Sequence, residues 1–294
     1  MKIAPALLCA ALAAPALAAD PGYVQSVAQW RAEIEQRLKR DNGWLTLAGR
    51  YVMHAGANTF GTGPDNDIVF PAGLGPDRMG TITVDPGRVS VDAAAGLSIA
   101  QDGASFTHKE FKVGEDVRDW VSMGRASFHV IERNGRYVLR LADRESPVRA
   151  RFGGRVWYPV DESYRVTAKF VPYDPPRKIA IVDVIDEVSE EPAPGYVEFR
   201  LHGRTYRLDA IGEDDGLFFV FRDATAGKTT YGSGRFLDVE PKPRPGESFA
   251  LDLNRAYNPP CAFSAYTTCP LPPKQNVLAT PIEAGEKYPP RKRG

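Results

Sequence analysis

The sequence predicts a mainly β protein built as two β-rich halves, sandwich or barrel in type, with one N-terminal amphipathic helix. Three observations predict it. Short apolar runs cut by turn residues recur from Trp44 onward. Glycine and proline are abundant, at 27 and 25 of 294 residues, which favours turns and short elements over long helices. One stretch alone, residues 26–40, carries apolar side chains at sustained helical spacing.

Residues 1–19, MKIAPALLCAALAAPALAA, have the layout of a secretory leader: one lysine, an apolar run too short to span a bilayer, then Ala16-Leu17-Ala18. Cleavage is expected after Ala18 or Ala19. Leu8 before Cys9 stands where a lipoprotein leader requires a small residue, so lipid attachment is not expected. The expected compartment is the periplasm. Without the leader the chain holds 36 basic and 37 acidic residues, a net charge of −1. That balance gives no electrostatic case for a nucleic-acid partner. No later apolar run has membrane-spanning length, so no membrane insertion of the mature chain is expected. The oligomeric state is left open.

The helix, within residues 20–43, is read from Val27, Trp30, Ile34 and Leu38 on one face. Ser26 and Gln29 form its capping box, and Asp41-Asn42-Gly43 its stop. Residues 44–152 form the first β-rich half, from WLTL, RYVM, DIVF, TITV, RVSV, LSIA and FTHKEF. Asn134-Gly135 between FHVIER and RYVLRL is a hairpin turn, because both residues tolerate positive φ. Within this half, NTFGTGPDNDIVFP resembles the opening of a forkhead-associated domain. Thr62 replaces the arginine that should follow the glycine, and no Ser-x-x-His comes after it. The resemblance therefore implies a related sandwich shape rather than phosphopeptide binding. Asn58, Gly61, Asp65 and Asn66 read as turn formers.

Gly153-Gly154 and Pro159 interrupt the pattern and place a boundary there. The second half, residues 153–276, contains YRVTAKFVPY, KIAIVDVIDEV, and YVEFRL and TYRLDAI around His202-Gly203. LFFVF, apolar on both faces, reads as a central strand. GRFLDV and SFALDL follow, and the three are expected to be successive antiparallel neighbours. That order would bring Arg222 and Arg255 to one sheet edge. Residues 277–294 read as a tail.

Several chemistries fail on spacing. AGKTT is not a phosphate loop, since Arg222 stands where glycine is required. YGSGR is not a nucleophile elbow, since Tyr231 does. HExxH and Cys-x-x-Cys are absent and His54, His108, His129 and His202 are scattered, so neither a metal nor a cofactor is expected. Cys261 and Cys269 read as a disulfide in an exported protein.

The runs NRAYNPPCAF and TCPLPPKQN, with FRDATAGKTTYGSGRF upstream and DNGWLTLAGRY near the start, resemble a bacterial family catalogued as a domain of unknown function, DUF 1684. The resemblance runs from about Trp44 to about Asn276 and implies no particular activity. The expected site therefore rests on residue chemistry. Arg222, Lys228, Arg235 and Arg255 would contact an anion. Tyr231 and Tyr257 would supply aromatic walls, and Asn254 and Asn258 directional hydrogen bonds, with Asp223 beside them. The leading reading is a binding protein whose partner is a small anionic or polar molecule. One alternative is a hydrolase using Asp223 with Arg255 and Tyr231. The other is a purely structural cluster, with Asp223 and Arg255 as a buried pair.

Overall fold

The computed structural model describes residues 20–114, 117–212 and 215–288; the leader expected at residues 1–19 lies outside them. The chain opens on helix α1 (Pro21–Leu38). Strands β1 (Leu47–Val52), β2 (Gly56–Gly61), β3 (Ile68–Val69), β4 (Gly80–Asp85), β5 (Arg88–Ala93) and β6 (Ile99–Gln101) follow. Next come β7 (Ala104–Phe106), β8 (His108–Glu110), β9 (Val121–Met123), β10 (Ala126–Arg133) and β11 (Arg136–Asp143). One turn of helix, α2 (Pro147–Ala150), leads to β12 (Val156–Trp157), β13 (Arg165–Val182), β14 (Val188–Leu201) and β15 (Arg204–Asp209). The last strands are β16 (Leu217–Phe221), β17 (Arg235–Val239), β18 (Ser248–Asp252) and β19 (Glu286–Lys287). The protein is mainly β, with the expected N-terminal helix.

In the first half the sheet β1-β11-β10-β9-β6-β7 faces the sheet β3-β2-β4-β5-β8. Phe60, Ile82 and Val91 from one interdigitate with Phe128, Val130 and Leu139 from the other, which is the packing of a sandwich. Asn134 and Gly135 both take positive φ in the tight β10–β11 turn, as their residue types require. Asn58 is not a turn former. It is buried in β2, where its side chain bonds the His54 amide and the carbonyls of His54 and Gly56. WLTL is not a strand either, because Trp44–Thr46 forms a 3-10 turn.

The second half is built on the sheet β15-β14-β13-β18. YRVTAKFVPY and KIAIV are one long strand, β13, whose hairpin with β14 reaches the first half. There Arg133 pairs with Asp183 and Arg136 with Glu187. SFALDL (β18) pairs with β13, whereas LFFVF (β16) pairs with GRFLDV (β17) in a separate ladder. The expected three-strand succession is thus overturned. LFFVF is apolar on both faces for a different reason: Leu217, Phe219 and Phe221 enter one hydrophobic cluster and Val220 a second. What runs beside β17 is the segment after β18, with Phe236 and Tyr257 exchanging backbone hydrogen bonds of 2.8 and 2.9 Å.

The expected tail is also corrected over residues 277–288. Leu278, Ile282 and Ala284 are buried in the second-half core, and β19 pairs with β12. Polar and charged residues dilute these few apolar side chains in sequence, so no strand or helix period shows.

Candidate functional site

Helix α1 begins earlier than its capping box predicted. Asp20 accepts from the Tyr23 amide at 3.0 Å and Pro21 occupies the first helical position, while the Ser26 hydroxyl donates to the Tyr23 carbonyl. The expected apolar face, with Tyr23 added, turns toward the second half. The Tyr23 hydroxyl donates to Asp252 at 2.7 Å, and Arg31 donates to the carbonyls of Tyr158 and Asn254. Trp30 lies edge-on to Trp157 and Tyr257 at 5.9 and 6.2 Å.

Docked this way, the helix roofs a cleft of about 620 Å³ whose floor is β17, β18 and the turn after β18. Arg37 on α1 and Arg155, Arg165 and Arg255 from the second half bring guanidinium groups to it, and Asp238, Glu240 and Asp252 bring carboxylates. Asp252 is committed to Tyr23, to the Asn254 amide at 3.0 Å and to the Arg255 Nε at 3.4 Å. Asp238 accepts from the Tyr257 hydroxyl at 2.8 Å. Asp238 is open to the cleft yet crowded by its walls. Desolvation there raises its pKa, against the lowering effect of the tyrosine hydrogen bond. Burial first, then the Asp238 charge, pushes the Tyr257 phenol well above the ordinary tyrosine range. Arg165 rests on the Tyr23 ring at 4.8 Å, and Arg255 near the Trp30 ring at 5.8 Å, with its Nε buried and facing Asp252 as an ion pair rather than a hydrogen bond.

Of the nine residues picked from sequence, Arg255 and Tyr257 line this cleft. Arg235, 1% exposed, pairs with Asp223 at 2.7 Å and donates to the carbonyls of Ile282 and Ala284. The other Asp223 oxygen accepts from Thr225 and from the Ile282 amide. Asp223 therefore pairs with Arg235 and not with Arg255, and the pair ties the loop after β16 to the C-terminal segment. Asn254 is fully buried and bridges the Tyr23 hydroxyl to the Asp161 backbone. Asn258 is buried beside Glu286, while Arg222 and Lys228 are exposed on the loop and Tyr231 lies edge-on to Tyr288. Arg222 is paired through its backbone with Asn276 and Leu278. Sequence reasoning missed Arg37, Arg155, Arg165, Asp238 and Trp30 as cleft residues. Asp238 carried the one usable signal, a carboxylate between the apolar residues Leu237 and Val239. Cys261 and Cys269 form the expected disulfide, with Cα atoms 6.2 Å apart.

Residues 150–287 match the family model described as Protein of unknown function (DUF1684). Over that stretch the chain resembles this family. The match begins at the second half, not at Trp44, and extends past Asn276 into the segment read as tail. Among solved structures, the chain is similar to an uncharacterised protein of Haloarcula marismortui determined by solution NMR. The identity is 31%, over 49% of this chain and 81% of that one, with a TM-score of 0.42. No curated protein matches the chain. The DUF1684 stretch supplies the floor of the cleft, and α1, which supplies the roof, lies outside it.

Proposed function

We propose that the protein is an exported, periplasmic binding protein for a small polar ligand bearing an anionic group, held in the cleft beneath α1. The observation that carries this is the distribution of hydrogen-bonding capacity in the cleft. Asp252 and Asp238 are engaged by protein donors, whereas Arg165 is held by a ring face and Arg255, its side chain 37% exposed, meets only Asp252 in an ion pair at 3.4 Å without a hydrogen bond. An anion supplies what those guanidinium groups lack, and the rings of Trp30, Tyr23 and Tyr257 supply walls for its body. The volume of about 620 Å³ suits a small molecule. The leader layout of residues 1–19 and the Cys261–Cys269 disulfide support an oxidising compartment. If the protein is instead a hydrolase, Asp238 beside Tyr257 is the carboxylate in reach of the cleft, because Asp223 is locked to Arg235.

Thermal unfolding in millimolar citrate, succinate or inorganic phosphate tests the reading. Binding to the native state raises the midpoint with ligand concentration. At least one of these anions should do so, and Arg255→Gln with Arg165→Gln should abolish the rise while leaving the ligand-free midpoint within a few degrees. No shift with any of them, or a shift that survives both substitutions, removes the proposal.

A further inference from the structure

The cleft beneath α1 lies between two strands that do not pair with each other. β17 ladders with β16 and β18 with β13, and each presents its other edge to the cleft. Alternation along an antiparallel strand decides which backbone groups reach those edges. Phe236 exchanges its amide and carbonyl hydrogen bonds with Tyr257, on the side of β17 away from β16. Asp238 is two residues further on, so its N–H and C=O point to the same side. No strand meets them there, because Leu253–Arg255 turns away as a 3-10 helix. On β13, Phe170 bonds Gly246 and Glu247 and so turns toward β18. Ala168 turns the same way and meets Phe249, which leaves the N–H and C=O of Ala250 on the free edge of β18. Asp238 and Ala250 both line the cleft, and both are exposed.

The cleft is long as well as edged. It follows α1 from Tyr23 to Leu38, about 22 Å at the rise of an α-helix. Its arginines stand where β18 ends. Arg165 is the register partner of Asp252, the last residue of β18, and Arg255 follows in the turn. That turn leads to Tyr257, which pairs antiparallel with Phe236 near the start of β17. β17 therefore runs away from the arginines and β18 runs toward them. A compact anion fills the arginine end alone, and three extended residues attached to it reach about 10 Å further along the two edges.

From this we infer that the ligand of the cleft is a short peptide, laid in extended form between β17 and β18 with its C-terminal carboxylate at Arg165 and Arg255. The inference rests on the anion-binding reading above and narrows it. The N–H and C=O groups of the peptide pair with those of Asp238 and Ala250, so that the peptide becomes an added strand. With its carboxylate at the arginines it runs antiparallel to β17, the orientation in which paired residues exchange hydrogen bonds directly. Recognition falls on the peptide backbone and its charged end, and side chains of different kinds are accepted.

Calorimetric titration of the full chain with three probes tests this: tri-alanine, tri-alanine amide, and tri-alanine methylated on both amide nitrogens. Tri-alanine should bind about tenfold or more tighter than either analogue, and should slow hydrogen exchange at the Asp238 and Ala250 amides. Ala250→Pro removes the N–H on the free edge and leaves the ladder with β13 intact. It should weaken tri-alanine by about tenfold while citrate, succinate or phosphate binds as before. If that variant does not fold, the methylated peptide makes the same comparison on the unaltered protein. Equal binding of tri-alanine and its methylated form overturns the inference. So does binding of citrate, succinate or phosphate with none of tri-alanine, and the anion reading survives either result. Failure of all four to bind removes both.

Discussion

His129 sits in β10 against Trp120, with ring centroids 4.2 Å apart, and is 2% exposed. Burial, reinforced by the charges of Arg118 and Arg140, lowers its pKa from 6.5 to about 3. It is therefore neutral in the fold at neutral pH. A histidine whose folded pKa lies below its unfolded value binds a proton more readily when unfolded. Its contribution is intact above about pH 6.5 and is lost as pH falls toward the folded value, at up to about 1.4 kcal/mol per pH unit. Replacing His129 with Gln should flatten the fall in unfolding free energy between neutral and acidic pH, as measured by urea denaturation at a series of pH values. An unchanged slope would place the acid sensitivity elsewhere. At the same scale, the arginines singled out from sequence divide sharply. Arg235 is sealed in the core, Arg255 faces a cleft and Arg222 faces solvent. Residue type carries charge but not depth.

The Asp223–Arg235 pair acts between elements. It fastens the loop after β16 to residues 282–284, and those lead directly to β19. Gly285, at φ +77°, lets this segment run so close to the turn after β18 that an added Cβ would come within 2.4 Å of the Ala256 carbonyl. Asp223→Ala strands a buried guanidinium and should cost about 3–5 kcal/mol in chemical denaturation. Lys228→Ala on the same loop is exposed and should change stability by less than about 0.5 kcal/mol. Similar costs for both would show that the pair is not the fastening. The β10–β11 hairpin was legible at this scale because its turn, Asn134-Gly135, is local and both residues take positive φ; His202-Gly203 turns β14 into β15 with the same backbone signs. The β18–β13 pairing was not, because its partner strand lies far back in the chain and proximity in sequence favoured GRFLDV.

For the whole molecule, the cleft needs two parts of the chain that are distant in sequence: α1 for its roof and the DUF1684 stretch for its floor. The proposal of export rests on the leader and is checked by mass spectrometry of protein from the native cell. A new N-terminus at Ala19 or Asp20 is expected, and an intact Met1 on the released protein would defeat it. Among the described residues no helix is long and apolar enough to cross a membrane. The sequence by itself determined the mainly β class, the amphipathic helix, the β10–β11 hairpin turn and the disulfide pair, because each is written in periodicity, turn chemistry or the near spacing of two cysteines. It also pointed to Arg255 and Tyr257. Only the tertiary structure decided that Arg235, Asp223 and Asn254 hold the fold together, and that Arg37, Arg165 and Asp238 share a cleft. Burial and pairing depend on which distant segment packs against a residue, and no local pattern records that choice.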